Sequence, residues 1–274
     1  MIAPEANPQE ILQDISERFS FDSFVHFACL AALSQDTGIP PSQWPLLLEA
    51  WDYHPGAFLQ EHKRGTCINF ATYTQDRLAQ AGHATLIIGE LASAPLTQRQ
   101  RDYVRYTHTS LLASSAGERI LYEPGWSIPY PVPIRPVGEV VMAGKRRFTT
   151  MDIKEDTMIQ QTVSPSGRTS QRTLSFQPLA ADETIALTKR IRRIPLALEI
   201  YTTLSPDIPR QFIALDPGAS TYKTNIDGLP NPFTLQELAK PESDLISRRF
   251  GFDVKEELLA VDAFRKQLPK EFWV

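Results

Sequence analysis

Lys63-Arg64-Gly65-Thr66-Cys67-Ile68-Asn69-Phe70-Ala71 is the stretch on which the reading of this chain turns. Thr66 is a good N-cap residue, so the stretch predicts a helix that begins at Cys67. Phe70, Ala71, Thr74, Leu78 and Ala81 follow at three- and four-residue steps, the mark of a buried helical stripe. Gly82 supplies the stop. A cysteine in the first helical turn feels the positive end of the macrodipole, which favours thiolate over thiol. The free N–H groups of that turn could also hold an oxyanion during acyl transfer. A packed, inert cysteine at a helix start is the plainer alternative.

Beyond Gly82 the period changes from helix to strand. Ala84-Thr85-Leu86-Ile87-Ile88-Gly89 is strand-like, and the polar loop 93–102 leads into a hairpin. Its strands, Tyr103–Ala113 and Glu118–Glu123, flank a four-residue loop, Ser114-Ser115-Ala116-Gly117. With Ala113 facing Glu118 across that loop, His108 falls directly opposite Glu123. Opposed Cβ atoms lie about 5 Å apart, within reach of a carboxylate-to-imidazole hydrogen bond. Such a bond would fix the histidine tautomer and steady the imidazolium. Thiol, imidazole and carboxylate then occur in the order Cys67, His108, Glu123, the parts of a Cys-His-acid triad. The alternative is an exposed cross-strand pair with no task.

The rest of the chain frames this pair of elements. Upstream, helices are expected over Pro8–Ile15, Phe21–Leu33 and Pro45–Trp51. Downstream, strands are expected over Val137–Met142, Arg147–Ile153, Thr157–Val163 and Thr169–Phe176, with good turn chemistry between them. Five prolines from Pro124 to Pro136 make an extended crossing rather than a central strand. The last segment mixes Pro195–Leu204, Gln211–Leu215, Leu235–Leu238 and Lys255–Lys266. The fold class is therefore α+β in three parts: a helical bundle over 1–92, an antiparallel barrel or meander over 93–195, and an α/β lid over 196–274. The lid is expected to wall the site with turn-rich stretches such as Asp216-Pro217-Gly218-Ala219-Ser220.

Composition narrows the function classes. At 274 residues and 42% hydrophobic, the chain can bury a full core. A net charge of -4 offers no basic excess for nucleic acid, and the run Lys189-Arg190-Ile191-Arg192-Arg193 is short enough to be a solvated face. No apolar run approaches the roughly 18 residues of a membrane span. The N-terminus lacks the basic and apolar regions of a secretory signal, so a cytoplasmic protein is expected. Cys29 and Cys67 form no CxxC, and neither a disulfide framework nor a metal site is expected. Cys29 lies in the apolar run Phe24–Leu33 and reads as a small buried hydrophobe. His26 belongs to the same run, His54 and His62 to polar loops, and His83 to the end of the helix that Cys67 starts. There is no GxGxxG, no GxxxxGK and no HExxH.

These residues resemble the arylamine N-acetyltransferase family and, more broadly, transglutaminase-like thiol enzymes. Arg64-Gly65-Thr66-Cys67 resembles the family's Arg-Gly-Gly-x-Cys motif, one residue shorter. Cys67-Ile68-Asn69-Phe70-Ala71 is similar to the transglutaminase-like Gly-x-Cys-x-(Asp/Asn)-(Phe/Tyr)-Ala pattern. The stretch from His108 to Tyr122-Glu123-Pro124-Gly125 resembles the family's histidine strand and the strand ending in Val-Asp-x-Gly, with Glu123 in place of Asp. The resemblance implies a three-part thiol-enzyme fold and acyl transfer through a thioester on Cys67. His108 would move the proton and Glu123 would orient it. Arg64, Thr66, Phe70 and Trp126 are candidate substrate-binding residues on that reading. No bound cofactor is implied; the donor would be a CoA- or carrier-linked acyl thioester and the acceptor an amine. A transglutaminase-like hydrolase or amidase, and a non-catalytic scaffold of the same fold, remain alternatives.

Overall fold

The computed structural model describes residues 6–91, 106–115, 117–126, 128–179, 199–201, 211–216 and 221–268. The loop 93–102, the start of its hairpin strand, the Arg-rich turn at 189–193, most of 195–204 and the turn at 217–220 lie outside them. In chain order the first helices are α1 (Pro8–Arg18), α2 (Phe24–Thr37), α3 (Trp44–Ala50), α4 (Pro55–His62) and α5 (Cys67–Gln80). Short strands β1 (Ser20–Phe21) and β2 (Arg64–Gly65) lie among them. Strands β3 (Thr85–Leu91), β4 (Tyr106–Ser115), β5 (Glu118–Tyr122), β6 (Val132–Pro133), β7 (Val140–Ala143), β8 (Arg146–Ile153), β9 (Thr157–Val163) and β10 (Thr169–Pro178) follow. Then come β11 (Glu199–Tyr201), β12 (Phe212–Asp216), β13 (Thr221–Thr224), α6 (Lys240–Phe250) and α7 (Val254–Arg265). None of the described helices is long and apolar enough to cross a membrane.

Two compact units divide these elements, and they do not follow three consecutive segments. The first holds described residues 6–19 and 55–179, and every candidate site residue. Its sheet has eight antiparallel strands in the order β6-β5-β4-β3-β10-β9-β8-β7, and its edge strands β6 and β7 approach one another. The result is an almost closed barrel, as the regular strand spacing predicts. The strands alternate as half-buried strands do. In β9, Met158, Gln160 and Thr162 point inward, and Phe148 and Leu174 join Met158 in the barrel core. Against this sheet packs α5, and α4 packs against α5, with Phe58, Leu59, Ile68, Phe70 and Leu78 buried. Phe19 at the end of α1 meets Phe70 edge-on at 6.5 Å and Tyr73 at 5.0 Å.

Local chemistry sets the helix ends. α1 starts at a proline with Asn7 accepting the Gln9 N–H at 3.0 Å. α5 runs into Gly82, whose φ of +86° an L side chain would resist. α4 goes unpredicted in the sequence because Pro55-Gly56 reads as a turn. It places His62 on a helix, with the ring 4.3 Å from Phe58 rather than in a polar loop.

The second unit holds described residues 20–54, 199–201 and 211–268. Here α2 packs against α7, with Phe27 and Phe264 rings 6.5 Å apart. The sheet β11-β12-β13 contributes Ile213, Leu215 and Tyr222 to the same core. α2 begins at Phe24, not Phe21, because the buried Asp22 carboxylate accepts the Phe24 and Val25 N–H groups at 2.7 and 3.2 Å. His26 is buried and bonded to the Tyr53 hydroxyl at 3.0 Å, and Cys29 is half-buried and in no disulfide among the described residues.

Candidate active site

Cys67 is the first residue of α5, and two side chains fix the turn that presents it. Asn69 is fully buried. Its Oδ1 accepts from the Thr66 N–H at 2.9 Å and from the Thr66 hydroxyl at 3.0 Å, while Nδ2 donates to the Pro55 carbonyl at 2.9 Å. Asn69 thus joins the start of α5 to the start of α4 and satisfies an N–H that a helix terminus leaves open. Gly65 is required beside it, since a Cβ there would lie 2.8 Å from that of Asn69.

The hairpin β4–β5 brings His108 and Glu123 together, although not as direct opposites. Its pairs run from Ser115↔Glu118 to Leu111↔Tyr122, so the connection is two residues rather than four. One further step sets Ser110 across from Glu123, with His108 two positions along the same face. A shift of two preserves the face where a shift of one would reverse it. His108 Nε2 donates to Glu123 Oε2 at 3.0 Å across this diagonal, and the Ser110 hydroxyl donates to Oε1 at 2.9 Å. With Nε2 so engaged, Nδ1 is the ring nitrogen left for Cys67, which lies beside the ring.

A 3₁₀ turn, Pro124–Trp126, closes over these groups. A Cβ on Gly125 would meet Cys67 Cα at 3.0 Å and Cβ at 3.1 Å, so any side chain there would push on the Cys67 backbone. Trp126 stacks on the His108 ring at 5.1 Å. The other face of the assembly is cationic: Arg172 Cζ lies 4.2 Å and Arg146 Cζ 5.7 Å from the Trp126 ring centroid. Arg172 Nη2 also pairs with Glu123 Oε1. Cys67 is 5% exposed, His108 8% and Glu123 0%.

Burial of this depth opposes every charge, yet the partners outweigh it. Desolvation would raise the Glu123 pKa; the Arg172 charge, then His108, hold it down at about 2. Desolvation would lower His108, but hydrogen bonds to Cys67 and Glu123, and their charges, lift it to about 10. The Cys67 thiol would rise with burial, and the His108 hydrogen bond and charge bring it below its ordinary value. Thr109 adds to that shift. Its backbone lies beside the sulfur, while its buried hydroxyl makes no hydrogen bond of proper geometry. Both shifts run the same way, toward a thiolate beside an imidazolium.

No protein-family model matches the sequence, and no curated protein matches it significantly. Solved structures do. The M. smegmatis arylamine N-acetyl transferase aligns with a TM-score of 0.59 at 15% identity, over 92% of this chain and 89% of that one. The Nocardia farcinica arylamine N-acetyltransferase gives 0.60 at 17%, over 96% and 87%. The enzyme from M. tuberculosis gives 0.54 at 17%, over 96% and 95%. The fold is that of the arylamine N-acetyltransferases. The resemblance carried by Arg64–Ala71 and His108–Gly125 therefore holds for the architecture, at identities where sequence alone leaves little trace.

Within this arylamine N-acetyltransferase fold the residues singled out in the sequence have different settings. Cys67, His108, Glu123 and Trp126 converge. Thr66 is buried next to them, with its hydroxyl committed to Asn69. Arg64 is half-buried on β2, and Phe70 is fully buried in the packing against Phe19. Phe70 thus belongs to the core, because the apolar stripe of α5 carries it there. Sequence reasoning missed Ser110, Gln160 and Arg172. The one available signal was parity: Gln160 and Arg172 fall on inward positions of β9 and β10, where a polar side chain needs a buried partner.

Proposed function

We propose that this chain is a cysteine-dependent acyltransferase that forms an acyl-thioester on Cys67 and passes the acyl group to an amine. The observation that carries the reading is one connected set of contacts. Cys67 at a helix start lies beside His108 against Gly125, and His108 Nε2 bonds to a buried Glu123 carboxylate.

Each step follows from these groups. The Cys67 thiolate attacks the carbonyl carbon of a donor thioester, and the new oxyanion faces the free N–H groups of the first turn of α5. The first intrahelical bond of this helix is Phe70 N–H to Thr66 C=O, so the Cys67 N–H is one of those groups. Collapse expels the donor's sulfur, which takes the proton of the His108 imidazolium and leaves as a thiol. An amine then attacks the acyl-Cys67 carbonyl and gives its proton to the neutral His108. The C–S bond breaks, amide departs, and thiolate and imidazolium are restored. Glu123 holds the ring and its charge throughout. The low exposure of Cys67 limits water at the acyl-enzyme stage and supports transfer over hydrolysis.

The test is release of free CoA from acetyl-CoA, or of free thiol from a short acyl thioester, with and without an added amine. Release that depends on amine supports the reading. Equal release without amine would make the chain a hydrolase. No release from any thioester, with Cys67 intact and the protein folded, would remove the reading.

A further inference from the structure

We infer that Arg172 is a positioning residue of this site, acting through Glu123 to hold Cys67 as a thiolate. The inference rests on the thiol-enzyme reading above. Arg172 on β10 stands directly opposite Gln160 on β9, and both point into the barrel. Its Nε and Nη2 donate to Gln160 Oε1 at 3.1 and 2.6 Å, and Nη2 also reaches Glu123 Oε1. A chain of polar contacts thus runs Gln160, Arg172, Glu123, His108, Cys67, across β9, β10, β4 and α5. The Arg172 side chain is 3% exposed and the Glu123 side chain 0%.

The reaction cycle makes a fixed cation necessary. His108 alone could neutralise Glu123 while it is an imidazolium, but it gives up that proton when the donor thiol leaves. Glu123 would then be a bare carboxylate in a dry interior, and would take up a proton instead. A protonated Glu123 no longer favours the imidazolium that the next step must form. Arg172 cannot lose its proton and covers that interval. The division of the carboxylate suits this: Arg172 and Ser110 hold Oε1, which leaves Oε2 to His108. The charged and titratable groups facing the pair are His108 from β4, Cys67 from α5 and Arg146 from β8. Arg146 adds a second positive charge toward Glu123, whereas Arg172 is the one that Gln160 braces.

The experiment is the pH dependence of Cys67 alkylation by iodoacetamide, in a Cys29→Ala background so that one thiol is read. Arg172→Met and Arg172→Gln remove the charge; Arg172→Lys keeps it. Both neutral variants should move the midpoint of the profile upward by about one unit, which is about tenfold less alkylation at a fixed pH below it. Arg172→Lys should recover much of that loss. An unchanged midpoint in a folded neutral variant overturns the inference, as does a Lys variant shifted as far as Met. Failure of both neutral variants to fold would make Arg172 a residue of the fold instead and overturns it too. A shifted profile in a protein that turns over no thioester would keep this role for Arg172 and remove the proposed reaction.

Discussion

His108 Nε2 sits 3.0 Å from Glu123 Oε2, although Ser110 is the residue that faces Glu123 across the hairpin. The diagonal needs a long acid. Glutamate has one methylene more than aspartate, and that gives the reach from the end of β5 to a ring two positions along β4.

Glu123→Gln should therefore cost stability as well as activity. It leaves Arg172 buried against a neutral amide, and breaking one side of a buried ion pair costs about 3–5 kcal/mol. Turnover by the folded fraction should fall but persist, whereas His108→Ala should leave almost none. A Glu123→Gln protein with wild-type melting temperature and rate would point to a Cys67–His108 dyad with no third member.

Gly125→Ala should act on the chemistry from a neighbouring turn. The added methyl would overlap Cys67 Cα and Cβ, at 3.0 and 3.1 Å, and one backbone must move. Overpacking of this kind costs about 1–3 kcal/mol. A shift of a few tenths of an ångström relieves the contact, so kcat should fall, by less than the roughly hundredfold that a misplacement of about 1 Å costs. Steady-state kinetics with a melting curve on the same sample separates the two effects, and an unchanged kcat would contradict the close approach.

Asn69→Leu tests the turn that presents the thiol. It removes the acceptor of the Thr66 N–H and the donor to Pro55, and orphans groups worth about 1–3 kcal/mol each when buried. Urea unfolding should show the loss without a change in m. Wild-type stability in this variant would mean that water or another side chain takes over these bonds.

The stability profile against pH carries the signature of the coupled pair. Glu123, depressed to about 2, contributes stability present above its ordinary 4.5 and lost as pH falls from there toward 2. His108 is raised to about 10 from 6.5, and Cys67 is lowered from 9.0. The raised His108 contributes stability that is lost as pH rises from 6.5 toward 10, and the lowered Cys67 offsets part of that loss as pH rises toward 9. From about 9 to 10 the Cys67 contribution is complete and only the folded state keeps the His108 proton, so stability falls. Melting temperatures across pH should show this fall and the acid limb below 4.5, with the acid limb weakened in Glu123→Gln. A melting temperature that does not fall between pH 9 and 10 would contradict the raised His108.

Much of this was legible in the sequence because it is local. Thr66, the α5 stripe and Gly82 define a helix by short-range chemistry, and alternation over Thr157–Val163 defines a strand. The hairpin's face was legible but its register was not, since the length of a Ser-Ser-Ala-Gly turn depends on backbone geometry that composition does not fix. α4 was hidden behind Pro55-Gly56. Arg172 was hidden for a different reason: its partners Gln160 and Glu123 come from other strands, and no spacing rule links them. The two units were equally illegible, because the apolar face of α2 is covered by α7 from the far end of the chain.

The central claim is that the Cys67 sulfur carries the acyl group. Intact-protein mass spectrometry after brief exposure to an acyl thioester without acceptor, followed by peptide mapping, tests it most directly. The account predicts one added acyl group on the peptide containing Cys67, absent in Cys67→Ala, scarcely formed in His108→Ala, and discharged by an amine. An adduct on Cys29, or no adduct on a folded protein across a range of acyl thioesters, would contradict it.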